Sequence, residues 1–228
     1  MIAIVDYGMG NIRSVEKGFI KVGADVRVTS DPKVIADSNG IVLPGVGAFK
    51  DCMKNLDDLK LLDSVVIGIK KGKPYLGICL GLQILFTESE EFGICKGLDI
   101  FKGKVVKFRF QSTEHGTQNI EQNQLNTAKK GLVYGLKIPH MGWNTVRIAR
   151  KPPVFDSIED DSYFYFVHSY YVVPQDKEII AGRTEYGTEF TSMVWKDNVF
   201  ATQFHPEKSQ ELGLKILKGF NKFVMGNG

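Results

Sequence analysis

The chain opens on an unbroken apolar run, Ile2-Ala3-Ile4-Val5, and continues after a short polar turn into Asn11–Val22, where Ile12, Val15, Phe19 and Val22 recur at helical spacing. The first pattern suits a strand buried on both faces, the second an amphipathic helix. Asp25 to Thr29, beyond the break at Gly23, reads as a second strand, and Ile41-Val42-Leu43 as a third that ends in Pro44-Gly45-Val46-Gly47. A helical pattern then runs through Leu59, Leu62, Val65, Val66 and Ile69 and stops near Gly72 and Pro74. Tyr75 to Ile78 is the next apolar strand, followed by a helix-like run from Leu82 to Phe86. Strands alternating with helices up to about residue 90 predict βαβ units around a parallel sheet.

The pattern changes in the second half. Val105 to Phe108, Trp143 to Ile148, Tyr163 to Val167, Glu178 to Arg183, Thr191 to Trp195 and Val199 to Phe204 all read as strands. Several alternate in polarity or carry paired aromatics, which suits an antiparallel portion extending the sheet. Leu214, Leu217, Phe220 and Phe223 share one face of a closing helix, Leu212 to Val224. Gln111 to Gly131, rich in Gln, Asn and Thr and containing His115, reads as a solvated excursion. No repeat or linker breaks the chain, so residues 1–228 are expected to form one α/β domain.

Composition narrows the class of protein. A chain of 228 residues buries enough apolar surface to fold without disulfides or structural metal. Its net charge of +3 lacks the basic excess of a dedicated nucleic-acid binder. Three cysteines, Cys52, Cys79 and Cys95, have no metal-ligand spacing and point to a reducing compartment. The N-terminus does not resemble a signal peptide, and no apolar run approaches a membrane span. A cytoplasmic protein with no metal, no membrane and no nucleic-acid partner is the expectation.

The chemistry concentrates at Gly77-Ile78-Cys79-Leu80-Gly81, a sulfur counterpart of the Gly-x-Ser-x-Gly nucleophile elbow. Flanking glycines allow a tight turn, and the first amides of the next helix favour thiolate. Taken alone, the segment also fits a buried structural cysteine. A nucleophile needs a base and an orienting group. Phe204-His205-Pro206-Glu207 offers both, because residues two apart in an extended segment face the same side. The elbow and the His-x-Glu each follow a predicted strand, and the C-terminal edge of an open α/β sheet is where active sites form. Val46 and Gly47, together with the amide of Leu80, are candidates for an oxyanion site. Gly8-Met9-Gly10-Asn11-Ile12-Arg13 begins like a dinucleotide fingerprint, but Arg13 occupies the third glycine position, so no nucleotide cofactor is expected.

These segments, with Asp6-Tyr7-Gly8-Met9-Gly10-Asn11 and Pro139-His140-Met141-Gly142-Trp143-Asn144, resemble the class I (triad) glutamine amidotransferases over almost the whole chain. Within that class they are most similar to the glutaminase subunits of imidazole glycerol phosphate synthase. The resemblance implies a flavodoxin-like fold, with an open, mostly parallel sheet flanked by helices and an antiparallel extension. It implies Cys79 as nucleophile, His205 as acid and base, and Glu207 as its orienting partner. It assigns Gln83, Glu91, Ser169 and Tyr170 to glutamine binding and Val46, Gly47 and Leu80 to the oxyanion, with the Val46-type amide turning inward on activation. It implies ammonia transfer to a cyclase or synthase subunit of (β/α)₈ type in a heterodimer. Asn11, Trp143, Tyr165 and Lys208 are the interface candidates, although Trp143 and Tyr165 also suit strand packing. A paralogous glutaminase feeding a surface-sugar amidotransferase is the alternative. A catalytically silent scaffold and a cysteine peptidase are disfavoured by the intact Cys79, His205 and Glu207 and by the Gln83 neighbourhood.

Overall fold

The computed structural model describes residues 1–110 and 136–226. The polar segment 111–131, with His115, lies outside the described residues. Five strands form a parallel block: β1 (Ile2–Val5), β2 (Val26–Thr29), β3 (Gly40–Gly45), β4 (Tyr75–Cys79) and, from the far end of the chain, the strand Val199–Thr202, in the spatial order β2-β1-β3-β4-(Val199–Thr202). Helices α1 (Ile12–Lys21), α2 (Pro32–Asp37), α3 (Phe49–Asp58) and α4 (Leu62–Lys70) connect the early strands. After β4 come α5 (Leu80–Gln83), β5 (Phe86–Ser89), β6 (Cys95–Lys96), β7 (Phe101–Lys107), β8 (His140–Ile148), β9 (Ser162–His168), β10 (Tyr170–Pro174), β11 (Ile180–Glu185) and β12 (Glu189–Lys196). Val199–Thr202 is β13, and α6 (Gln210–Val224) closes the described chain.

Beyond β13 the sheet turns antiparallel, apart from the parallel pair β5–β7 near its far edge. β12 pairs with β13, then with β10, and β10 pairs with β7. β12 also pairs with β11, which continues through β8 to β9, so the sheet forks. The fully buried β1, β3 and β4 carry the continuous apolar runs that a doubly covered parallel sheet demands. Alternation along β1 shows the two layers. Ala3 and Val5 join the core under α3 and α4 through Phe49, Leu56 and Val65, whereas Ile2 and Ile4 join Phe19, Leu217 and Phe220 of α1 and α6. No helix among the described residues is long and apolar enough to cross a membrane.

Three predicted elements differ. The helix expected through Leu59–Ile69 begins only at Leu62, as α4, because Leu59 ends the unexpected helix α3 and Lys60, with φ 56, separates the two. The helix expected over Leu82–Phe86 is the single turn α5, and Phe86 already begins β5. Glu178 lies in a 3₁₀ turn, Lys177–Ile179, whose start is capped by Asp176, so β11 begins only at Ile180.

Candidate active site

β4 delivers Cys79 to the C-terminal edge of the parallel block with φ 55 and ψ −102. A non-glycine residue held there costs about 1–3 kcal/mol, and such strain collects where a structure over-determines a functional side chain. The flanking glycines serve a different purpose from the expected one. A Cβ on Gly77 would strike the carbonyl of Gly81, and one on Gly81 the carbonyl of Leu43. They permit close approach between β3, β4 and α5 while the cysteine itself takes the unusual turn. Leu80 follows as the first residue of α5, where helical geometry leaves its N–H without an internal partner.

Strand register sets the neighbours of Cys79. Gly45 of β3 stands opposite it, and Thr202 of β13 stands opposite Ile78. The chain leaving β13 therefore runs directly past the sulfur. His205 donates its backbone N–H to Tyr165 O at 2.9 Å, which ties this segment to β9. Its Nδ1 lies 2.8 Å from Glu207 Oε1, both side chains being buried. Nε2 has no full hydrogen bond among the described residues, and the group it interacts with most strongly is the Cys79 sulfur. Burial alone would push the imidazole pKa down. Attraction to the neighbouring Cys79, reinforced by Glu207, outweighs burial and raises it to about 10. The arrangement favours a proton on His205 beside the sulfur.

In front of the sulfur lies a cleft of about 400 Å³ lined by Val46, Gly47, Leu80, Gln83, Glu91, Ser169 and Tyr170, with Lys208 at its rim. All the residues expected for oxyanion and substrate contacts thus share one space with Cys79. Gly47 has φ 101, a backbone conformation that favours glycine, and faces the tip of the Met9 side chain. Glu91 Oε2 accepts the Phe49 N–H at 2.7 Å, which joins this wall of the cleft to the start of α3. Burial, with the charges of Glu91 and Glu90, raises the Tyr170 phenol pKa. Both hydrogen bonds made by Gln83 use Nε2, to Tyr170 O at 3.0 Å and Gln203 Oε1 at 3.1 Å, so Gln83 has only its carbonyl left for a ligand.

The interface candidates sit outside this cleft, apart from Lys208. The Trp143 and Tyr165 rings meet edge-on with centroids 6.1 Å apart, and Lys208 Nζ lies 5.6 Å from the Tyr165 ring centroid. Trp143 is 46% exposed. Asn11 caps α1 on the loop whose Gly10 abuts the carbonyl of Pro44. Sequence reasoning missed Gln203, which is fully buried with Nε2 3.5 Å from Cys79 Sγ. Glu207 meets His205 through the 3₁₀ turn Pro206–Lys208 and not through the expected extended alternation, but alternation back from the extended His205 selects Gln203. It also missed the contact of His140 with His168, Nδ1 to Nε2 at 2.9 Å, which cross-strand register in β8–β9 produces. Burial lowers these imidazole pKa values to about 4 and about 3 respectively.

The family profile described as "Glutamine amidotransferase class-I" matches residues 3–223. The chain is 51% identical over 220 residues to "Imidazole glycerol phosphate synthase subunit HisH" of Syntrophotalea carbinolica, covering 96% of this chain and 98% of the relative. It is 50% identical over 221 residues to the HisH subunit of Geobacter sulfurreducens, covering 97% and 98%. Among solved structures, the glutaminase domain of Trypanosoma brucei CTPS with bound acivicin matches with a TM-score of 0.65 at 17% identity, covering all of this chain and 94% of that one. PurLQS from Thermotoga maritima matches with a TM-score of 0.64 at 18% identity, covering 99% of this chain and 97% of that one. These two distant likenesses concern the fold alone.

Proposed function

We propose that this chain, which belongs to the class I glutamine amidotransferases and among them to the HisH subunits of imidazole glycerol phosphate synthase, hydrolyses glutamine at Cys79 and hands the ammonia to a synthase subunit. The observation that carries the reading is the buried His205–Glu207 pair set against a strained Cys79 at the floor of the cleft. The thiolate attacks the side-chain amide carbon of glutamine. Charge on the amide oxygen is met by the Leu80 N–H and by a peptide N–H of the Val46–Gly47 segment once it faces the cleft. His205 Nε2 gives its proton to the departing nitrogen, the C–N bond breaks, and a glutamyl thioester with free ammonia results. Water then attacks the thioester, His205 takes its proton, and glutamate leaves with the thiolate restored. Glu207 holds Nδ1 throughout. The Gln83 carbonyl and Glu91 carboxylate suit the α-ammonium of glutamine, and Ser169 and Tyr170 close the wall.

In this reading residues 1–228 act as one cytoplasmic domain in a heterodimer, with Trp143, Tyr165, Lys208 and Asn11 facing a (β/α)₈ cyclase that uses the ammonia to form imidazole glycerol phosphate in histidine biosynthesis, a lyase reaction. The name shared by relatives at about half identity favours that partner over a surface-sugar synthase. Glutamine hydrolysis measured with and without the cyclase subunit tests the reading. Turnover is expected to be slow alone and to rise strongly in the complex. Cys79→Ala should end glutamine use while the complex still consumes ammonium salts. Glutaminase activity surviving in Cys79→Ala would overturn the assignment of the nucleophile.

A further inference from the structure

We propose that Gln203 belongs to the reaction machinery, its side-chain N–H serving as the donor that holds the Cys79 sulfur as thiolate opposite His205. The inference rests on Cys79 being the nucleophile. An amide can present either end to a sulfur, but the neighbours of Gln203 leave one choice. The Tyr170 carbonyl only accepts, so Gln83 must turn Nε2 toward it at 3.0 Å. The same Nε2 lies 3.1 Å from Gln203, which must therefore answer with Oε1. That leaves Gln203 Nε2 facing Sγ at 3.5 Å, in a position buried from solvent.

The anchor is itself fixed from the other side. Asn144 Nδ2 donates to the Glu185 carbonyl at 2.9 Å, and its Oδ1 accepts from Thr145 N at 2.8 Å. Asn144 Nδ2 thus also faces His140 Nε2 at 3.3 Å, which must accept. His140 Nδ1 then donates to His168 Nε2, and His168 Nδ1 donates to the Tyr170 carbonyl at 2.8 Å. Every donor meets an acceptor only when both imidazoles are neutral. One hydrogen-bonded chain accordingly runs from β11 through β8, β9, β10 and α5 to the sulfur. It ends in a neutral donor that cannot itself take the thiolate's proton, which leaves His205 to carry it. The ionisable groups around the sulfur are His205 with Glu207 behind it, His168 across the cleft, Glu91, Tyr170 and Lys208 on its walls, and the buried Tyr7 hydroxyl beside Gly45.

The test measures alkylation of Cys79 by iodoacetamide, read on its peptide by mass spectrometry, in the full chain carrying Gln203→Met. A charge-assisted hydrogen bond lost from the thiolate should slow alkylation about tenfold at neutral pH. The deficit should vanish at strongly alkaline pH, where the thiol ionises unaided. A purely structural role would slow the reaction equally at all pH values or not at all, and either result overturns the proposal. If Gln203→Met fails to give a native near-UV spectrum, Gln203→Asn decides on the same criteria, since it keeps an amide for Gln83 but withdraws the N–H from the sulfur. The readout uses no glutamine, so it stands apart from the glutaminase assay on Cys79→Ala that tests the function.

Discussion

Lowering the pH from 7 to 5 should strip stability from this fold through the buried imidazoles of β8 and β9. The native pKa of His168 is about 3 and that of His140 about 4, each pushed down by burial from an ordinary value of 6.5. Because both folded values lie below the unfolded one, the unfolded chain takes up protons that the native state refuses. Their contribution is complete above about pH 6.5 and is lost as the pH falls toward 4 and then 3. At pH 5 an unfolded histidine is almost wholly protonated and native His168 almost wholly neutral, which costs about 2 kcal/mol relative to pH 7. That figure depends on the unfolded pKa and barely moves if the native value shifts by a unit. His140 adds at most as much again. His205 cannot mimic the effect: its pKa is raised to about 10, so its contribution is present below 6.5 and lost as pH rises through 10. Guanidinium unfolding of the parent and of His168→Gln at pH 7, 6 and 5 reads the difference directly. The parent should lose about 2 kcal/mol more than the variant between pH 7 and 5. Equal losses would mean that His168 is protonated in the native state and that the neutral hydrogen-bonded chain does not exist.

Other consequences are as definite. Glu207→Gln removes the charge behind the imidazole, so the His205 pKa should fall in an NMR titration and glutamine turnover should drop about 10²- to 10⁴-fold; unchanged turnover would remove Glu207 from the mechanism. Glu91→Gln keeps an oxygen for the Phe49 amide but loses the charge, and the KM for glutamine should rise about tenfold or more while the melting temperature holds. An unaltered KM would show that Glu91 only caps α3. Gly81→Ala drives a methyl into the Leu43 carbonyl and should cost about 3 kcal/mol or prevent soluble expression. A stable, active Gly81→Ala protein would contradict the packing of α5 on β3.

The parallel half was legible because its strands are buried on both faces, and such strands announce themselves as apolar runs between glycine turns. Of the elements that escaped, α2, α3 and β10 carry local signals, and the rest have a signal that is tertiary. α5 is a single turn whose following residues, Ile84 and Leu85, look helical but pack into the sheet region and lead into β5. Lys60 breaks a run of helical spacing without a glycine or proline to mark the place. Cys79, His205 and Glu207 could be found from local motifs because each motif is contiguous and follows a strand. Gln203 was within reach of the same alternation. The His140–His168 contact was not, since nothing in either segment fixes which residue of β8 faces which residue of β9.

β13 is made last among the strands yet lies in the middle of the sheet, between β4 and β12. Until synthesis passes Thr202, a chain emerging from the ribosome has two unpaired edges at β4 and β12 that the finished fold closes, and such edges invite mispairing. The same unfinished chain carries Cys79 without Gln203, His205 or Glu207. If these residues act as proposed, translation order withholds glutamine hydrolysis until the chain has passed Glu207, and it leaves the growing chain dependent on quick docking of β13 for its solubility.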